Sequence, residues 1–383
     1  MGRFIQELKD FMRKGDLVLL LLCLVTTAFG CLIIASATNA MGYTRYLVIQ
    51  ILAALLGVAL YIIISSIDVD TFSEHRSGLV IFNTVLLLLL IPFGTDVNGN
   101  RSWLDFPFLP INIQPAEICK ITYIMIMASV MSSHQNRLSS ISSVAHMVFH
   151  LILIVGMNMV LSGDAGVSLI FVFIFIGMAF AGGVHIFWFI LAGTGLAVAV
   201  PILWNYVMED YQRKRFQVLW DATIDPLGID ERWHMKESLE SLTGGGFTGQ
   251  GLFQGNRTQA DALTGQHTDF IFSAIGEELG FIGCALALAL LLAIIIRCIY
   301  VAVRTPDFQR RLVCFGAASA LIFQVCINVG MCIGVSPVIG LTLPFISYGG
   351  SSIVTIYAML GLVSGVHARP VSGSHERYIR PYR

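Results

Sequence analysis

Charge is what this sequence has least of. Asp, Glu, Lys and Arg make up 12% of its 383 residues, whereas hydrophobic residues make up 56%. A soluble domain carries about 25% charged residues, so the chain has too little polar surface to cover a water-soluble globule of this length. Its formal net charge is -1, so the overall charge does not point to nucleic acid as a partner. Paired cysteine motifs are missing as well. Among Cys23, Cys31, Cys119, Cys284, Cys298, Cys314, Cys326 and Cys332 no two have the C-x-x-C spacing, and all fall in apolar runs or at their ends. Such cysteines act as small buried hydrophobes, so neither a disulfide framework nor a zinc site is expected. There is no internal repeat and no low-complexity tract.

What the sequence does have is long apolar runs. A bilayer crossing takes about 20 apolar residues. Hydropathy places spans at 17–38, 46–66, 77–93, 117–133, 143–162, 165–182, 184–205, 268–300, 312–335 and 349–367, which predicts an all-α polytopic membrane protein of about ten transmembrane helices. The first run follows Arg3, Lys9, Arg13 and Lys14 in the manner of a signal peptide. It is longer than the h-region of about 7–15 residues that such peptides carry, and is read as an uncleaved helix. The eighth run is overlong and is expected to begin outside the apolar core.

Orientation follows from the short loops. The N-terminal tail, the loops with Arg76, with Arg137, and with Arg297, Arg304, Arg310 and Arg311, and the C-terminal tail with Arg369, Arg377, Arg380 and Arg383 are basic, whereas the alternate short loops hold only Arg45 and Arg101. The positive-inside rule therefore places both termini in the cytoplasm. The division expected is a tail at 1–16, one ten-helix domain at 17–367 and a tail at 368–383. Residues 206–267 form a large extracytoplasmic loop between helices 7 and 8. Its aromatics Tyr211, Phe216, Trp220 and Trp233 and its glycines from Gly244 to Gly255 predict ordered structure resting on the membrane.

Charges near membrane depth are costly and mark function or partnership. Asp269, in Gln266-His267-Thr268-Asp269-Phe270, is open to two readings: a cap for the following helix, or a base at the lipid–water boundary assisted by His267. Helical spacing puts Glu277 about 80° from Asp269 and Glu278 about 180° away, so Glu277 is the expected companion and Glu278 the partner of another helix. Glu117 and Lys120 share a helix face after Pro115 and can pair with each other. Asp164 sits in the turn between two spans, and Arg101 and Trp103 belong to a segment on the same side. Arg213, Lys214 and Arg215 are either a contact for anionic lipid or a clamp for phosphate. The run from Gly340 to Ser352, with Pro344, Tyr348 and Gly349, implies non-helical backbone lining a cavity.

These motifs together resemble the SEDS family of RodA and FtsW type, the shape, elongation, division and sporulation proteins of bacteria. The resemblance covers essentially the whole chain. Its strongest pieces are His267-Thr268-Asp269-Phe270-Ile271-Phe272, Glu277-Glu278-Leu279-Gly280, and Leu343-Pro344-Phe345-Ile346-Ser347-Tyr348-Gly349-Gly350-Ser351. The sequence departs from the family's usual Pro-Glu at Thr264-Gly265, from a common Ser at Ala116 and from a common Gln-Pro at Ser162-Gly163.

The resemblance implies an enzyme of the bacterial cytoplasmic membrane, a peptidoglycan glycosyltransferase that polymerises lipid II by inverting transfer with release of undecaprenyl pyrophosphate. It places the catalytic carboxylate on Asp269. Substrate binding is expected of Arg101, Trp103, Glu117, Lys120, Asp164, Arg213, Arg215, His267, Glu277 and Tyr348. No cofactor is expected; a divalent cation is compatible with the chemistry, but no ligand spacing points to one. The implied partner is a class B penicillin-binding protein, a transpeptidase, besides the membrane lipids. A lipid II flippase and a non-catalytic scaffold are the rival readings. Charges gathered at one face favour the enzyme, because a transporter needs them reachable from both.

Overall fold

A computed structural model describes residues 11–39, 41–42, 44–70, 75–97, 100–105, 112–206, 208, 210–219, 221, 223 and 233–371. Ten helices among them are long and apolar enough to cross a membrane. In chain order the elements are α1 (Leu17–Ala37), α2 (Arg45–Ser66), α3 (Arg76–Phe93), strands β1 (Gly94–Val97) and β2 (Asn100–Leu104), α4 (Pro115–Ser133), α5 (Ile141–Ser162), α6 (Ala165–Gly182) and α7 (Ile186–Tyr206). Two short helices, α8 (Asp210–Gln217) and α9 (Trp233–Gly244), precede α10 (Ile271–Arg304), α11 (Phe308–Cys332) and α12 (Gly350–Ala368). The spans match the hydropathy runs within a few residues. One feature was not expected: β1 and β2 form an antiparallel hairpin, pairing Thr95 with Trp103 and Val97 with Asn100.

Apolar side chains gain little by leaving lipid for another helix, so packing in a bilayer relies on close approach and on polar contacts. Both are present. On α2 Gly57 faces the Tyr357 ring, while Gly361 on α12 faces the Tyr61 backbone. Gly30 on α1 lies against the backbone of Phe345 and Ile346. The helices α4 and α12 are the most enclosed spans, whereas α7 buries none of its apolar window within the chain. Polar anchors fix the end of the bundle that carries the chain termini. Arg297 binds Asp16 at 2.9 Å, and Arg310, 1% exposed, reaches Asp68 at 2.7 Å and Asp70 at 2.8 Å.

The opposite end carries the hairpin, the α5–α6 turn, the described residues between 206 and 270, and the 333–349 connection. Here the overlong eighth run is explained. At Gly280 the backbone leaves the helical region (φ 65, ψ -160) and α10 kinks. A kink strips neighbouring backbone groups of their partners, and at membrane depth each must find another. The glycine cluster supplies them. Gln250 and Gly251 N–H donate to the carbonyls of Glu277 and Glu278 (both 2.9 Å), while Phe281 and Ile282 N–H donate to Gly246 and Phe247 (3.0 and 3.3 Å). Gly245 and Gly249 lie so close to this stretch that a Cβ on either would collide with the α10 backbone.

Candidate active site

Four helix N-termini, those of α4, α6, α10 and α12, are tied together at the loop-bearing end. Gln114, just before Pro115 opens α4, donates its N–H to Ser351 Oγ (3.3 Å) and its amide Nε2 to Asp164 Oδ2 (2.9 Å). Asp164 caps α6 by accepting from Val167 N–H at 3.0 Å. Thr355 on α12 donates to Glu117 Oε2 on α4 (2.9 Å), and Glu117 Oε1 binds Lys120 Nζ at 2.7 Å. Ser347 Oγ donates to the Thr268 carbonyl (2.6 Å), and Tyr348 N–H to that of His267 (2.9 Å). Each helix N-terminus carries partial positive charge, and the acidic side chains Glu117, Asp164 and Asp269 stand among these four ends, with Lys120 paired to Glu117.

Asp269 lies in this junction, in a turn ahead of α10. Phe270 is the N-cap residue of α10, and no side chain caps that helix. The capping reading of Asp269 therefore has no hydrogen bond behind it. Its carboxylate accepts none from the described residues, while Gly340 is the neighbouring wall: a Cβ there would stand 3.6 Å from Oδ2. Burial pushes the Asp269 pKa up to about 6, and repulsion from Asp164 adds to the effect. Asp164 is itself raised, first by burial and then by Glu117, against the opposing pull of its Val167 hydrogen bond and of Lys120.

Beside Asp269, His267 packs its ring against Tyr46 (centroids 4.7 Å apart) and Tyr348 (5.8 Å), which also meet each other at 5.0 Å. All three rings are half-buried. Burial lowers the His267 pKa against the opposing pull of Asp261, and Nδ1 has no partner among the described residues.

Of the residues expected here, the structure joins Asp269, His267, Tyr348, Asp164, Glu117 and Lys120. Others are engaged elsewhere. Glu277 is a correction. Both its oxygens are taken, Oε1 by Arg257 N–H (2.7 Å) and Oε2 by Thr258 N–H (2.9 Å) and Oγ1 (2.6 Å). It moors the long loop instead of accompanying Asp269. Helical spacing misplaced it because Asp269 precedes the helix that spacing assumes. Glu278 does meet another helix, accepting from Ser36 of α1 at 2.7 Å. Arg101 is exposed and donates Nε to the Gly94 carbonyl (3.0 Å), within the hairpin that also holds Trp103. Arg213 gives Nε and Nη2 to the Met208 carbonyl (3.0 and 2.8 Å). Arg215 lies on α8, and its side chain is outside the described residues.

Two residues of the junction went unread in the sequence. Gln50, fully buried on α2, donates Nε2 to the Ser347 carbonyl and accepts from Gly349 N–H, both at 3.1 Å. Asn328, fully buried on α11, donates to the Asp269 and Leu341 carbonyls. A lone amide within an apolar run was the available signal. Among the described residues no three His, Cys, Asp or Glu side chains are grouped to hold a metal ion.

Comparison with known proteins places this geometry. The profile of the FtsW, RodA and SpoVE family, described as cell cycle proteins, matches residues 16–370. A probable peptidoglycan glycosyltransferase FtsW of Trichlorobacter lovleyi is 32% identical over 371 residues, covering 94% of this chain and 95% of that one. The peptidoglycan glycosyltransferase MrdB of Escherichia coli K12 is 30% identical over 355 residues, covering 92% and 93%. Among solved structures, a chain from a peptidoglycan synthase complex that coordinates polymerization and crosslinking superposes with a TM-score of 0.79 at 28% identity, covering 96% of this chain and 99% of that one. The rod shape determining protein RodA of Thermus thermophilus superposes with a TM-score of 0.69 at 25% identity, covering 94% and 98%.

Proposed function

The chain belongs to the FtsW, RodA and SpoVE family of cell cycle proteins, and from that premise we propose that it polymerises lipid II into glycan strands, with Asp269 as the base. It is a multi-pass membrane protein and a peptidoglycan glycosyltransferase, serving cell elongation or division. Its loop-bearing end faces out of the cell and both termini face the cytoplasm, as the Lys/Arg asymmetry of the short loops requires.

The reaction needs one base. Asp269 takes the proton from the 4-hydroxyl of the GlcNAc of one lipid-linked chain. That oxygen attacks the anomeric carbon of the other chain from the face opposite its phosphate. The new glycosidic bond forms, the bond to the phosphate oxygen breaks with inversion, and undecaprenyl pyrophosphate leaves with the electron pair. A pyrophosphate leaves without protonation when its charge is stabilised, and the four helix N-termini present that stabilisation where Asp269 sits. Arg101, Lys120, Arg213 and Arg215 remain candidates to add charge. Tyr348 and His267 flank the sugar path. A class B penicillin-binding protein is the partner that crosslinks the product; a similar chain works within a complex that couples polymerization to crosslinking.

The observation that carries this reading is the Asp269 carboxylate, raised to about 6, without a hydrogen bond from the described residues and without a capping duty. The test is Asp269→Asn, purified with the transpeptidase partner and supplied with lipid II. Loss of a general base costs about 10²–10⁴-fold in rate, so polymerisation should nearly vanish while complex formation persists. A rate close to that of the unsubstituted protein would remove Asp269 from the chemistry.

A further inference from the structure

The Asp269 carboxylate accepts no hydrogen bond from the described side chains, so its aim depends on how its backbone is held. The Asp269 carbonyl falls outside the α10 ladder, in which Ser273 and Ala274 N–H both turn to Phe270. Two side chains one turn apart on α11 take it instead: Asn328 Nδ2 at 2.8 Å and Cys332 Sγ at 3.8 Å. The same Asn328 amide nitrogen donates at 2.6 Å to the Leu341 carbonyl. Its two hydrogens thus join the backbone of Asp269 to the segment whose Gly340 (φ 68) forms the wall beside Oδ2. Asn328 is fully buried in an apolar span; both hydrogens of its Nδ2 are used, while its Oδ1 has no partner among the described residues.

We propose that Asn328 is a positioning residue for the glycosyl transfer, fixing the Asp269 backbone and the Gly340–Leu341 wall as one unit so that the Asp269 carboxylate meets the attacking hydroxyl in line. This rests on the reading of Asp269 as the base. Asn328 touches neither substrate nor reacting atoms. Its contribution lies in kcat, since a misplacement of about 1 Å at a reacting group costs on the order of 10²-fold in rate. Substrate binding relies on other groups, so KM is little affected.

The test compares Asn328→Ala, Asn328→Ser and Asp269→Asn in the full chain with its transpeptidase partner, using lipid II and a pH titration. Asn328→Ala should lower kcat about 10²-fold with KM nearly unchanged. Its acid limb should move to lower pH, because a released carboxylate gains water and leaves the repulsion of Asp164. Asn328→Ser keeps one donor and should fall between. It takes the same test if the alanine variant does not fold. The limb position is independent of how much protein is folded, so a lower rate with an unmoved limb means that Asn328 only supports the fold, and overturns the proposal. Unsubstituted kcat and limb in Asn328→Ala, with Asp269→Asn inactive, overturns it as well and leaves Asp269 as the base. An active Asp269→Asn overturns both.

Discussion

A carboxyl that loses its proton near pH 6 is a base at pH 7 and an acid at pH 5. Asp269 is pushed to about 6 by burial and then by Asp164. Only its ionised form accepts the proton of the attacking hydroxyl, so the rate should fall as pH drops, with a midpoint at about 6. Removing the neighbouring negative charge must lower the Asp269 pKa. Asp164→Asn should therefore carry the midpoint to lower pH, and because Asn caps a helix about as well as Asp, α6 should stay intact. A pH titration of polymerisation by both proteins checks the sign; a midpoint that rises or stays fixed contradicts it. The same reasoning gives Asp269→Asn an unusual thermal profile. It removes a desolvated, repelled charge, so its melting temperature at pH 8 should be no lower than that of the unsubstituted protein. Part of this scale was legible in the sequence, since a carboxylate beside an apolar run stands out. Asp269 was read that way with His267 as its neighbour, whereas Tyr348 came from the glycine-, proline- and serine-rich run at 340–352 and the family resemblance. Glu277 was misread because helical spacing does not extend into a turn. Asn328 was passed over because hydropathy averages a single amide away.

At the scale of elements, one feature binds the long loop to the bundle: the kink at Gly280 and the glycines that close over it. Gly249 combines a positive φ of 83 with a position where a Cβ meets the Glu278 and Leu279 backbone. Gly249→Ala should therefore destabilise the protein by more than about 1 kcal/mol and reduce polymerisation, since the loop it seats leads directly into Asp269. Gly193 lies on α7 with open space around it, and Gly193→Ala should stay within about 0.5 kcal/mol. Thermal unfolding in detergent separates the two; equal melting temperatures mean that the interlock is not tight. The spans themselves were legible because about 20 apolar residues in a row admit few alternatives. The interlock was not. It consists of backbone hydrogen bonds between segments some 30 residues apart along the chain, and only the density of glycine hinted at it. The hairpin at 94–104 is short and polar, which left no alternating pattern to read.

For the whole molecule, the two ends of the bundle differ in how their charges are used. At the end bearing the termini, arginines are matched to carboxylates or to backbone: Arg297 to Asp16, Arg310 to Asp68 and Asp70, and Arg369 to the carbonyls of Ser65, Ser66 and Ile67. At the other end, Asp164 and Asp269 repel each other across a junction of helix N-termini. The first arrangement anchors helices; the second holds charge ready for a ligand. The proposed polymerisation of lipid II at the outer face requires the second end to lie outside the cell, and that orientation can be tested directly. Phe247 at the loop-bearing end is 67% exposed, and Asn136 at the opposite end is exposed between α4 and α5. A membrane-impermeant maleimide should label Phe247→Cys in intact cells and Asn136→Cys only after permeabilisation. Native cysteines give little background, because the exposed one, Cys326, lies within α11, where a charged reagent does not reach. The reverse pattern would put Asp269 on the cytoplasmic side, away from the growing wall, and the assignment of that end as the polymerising face would fail.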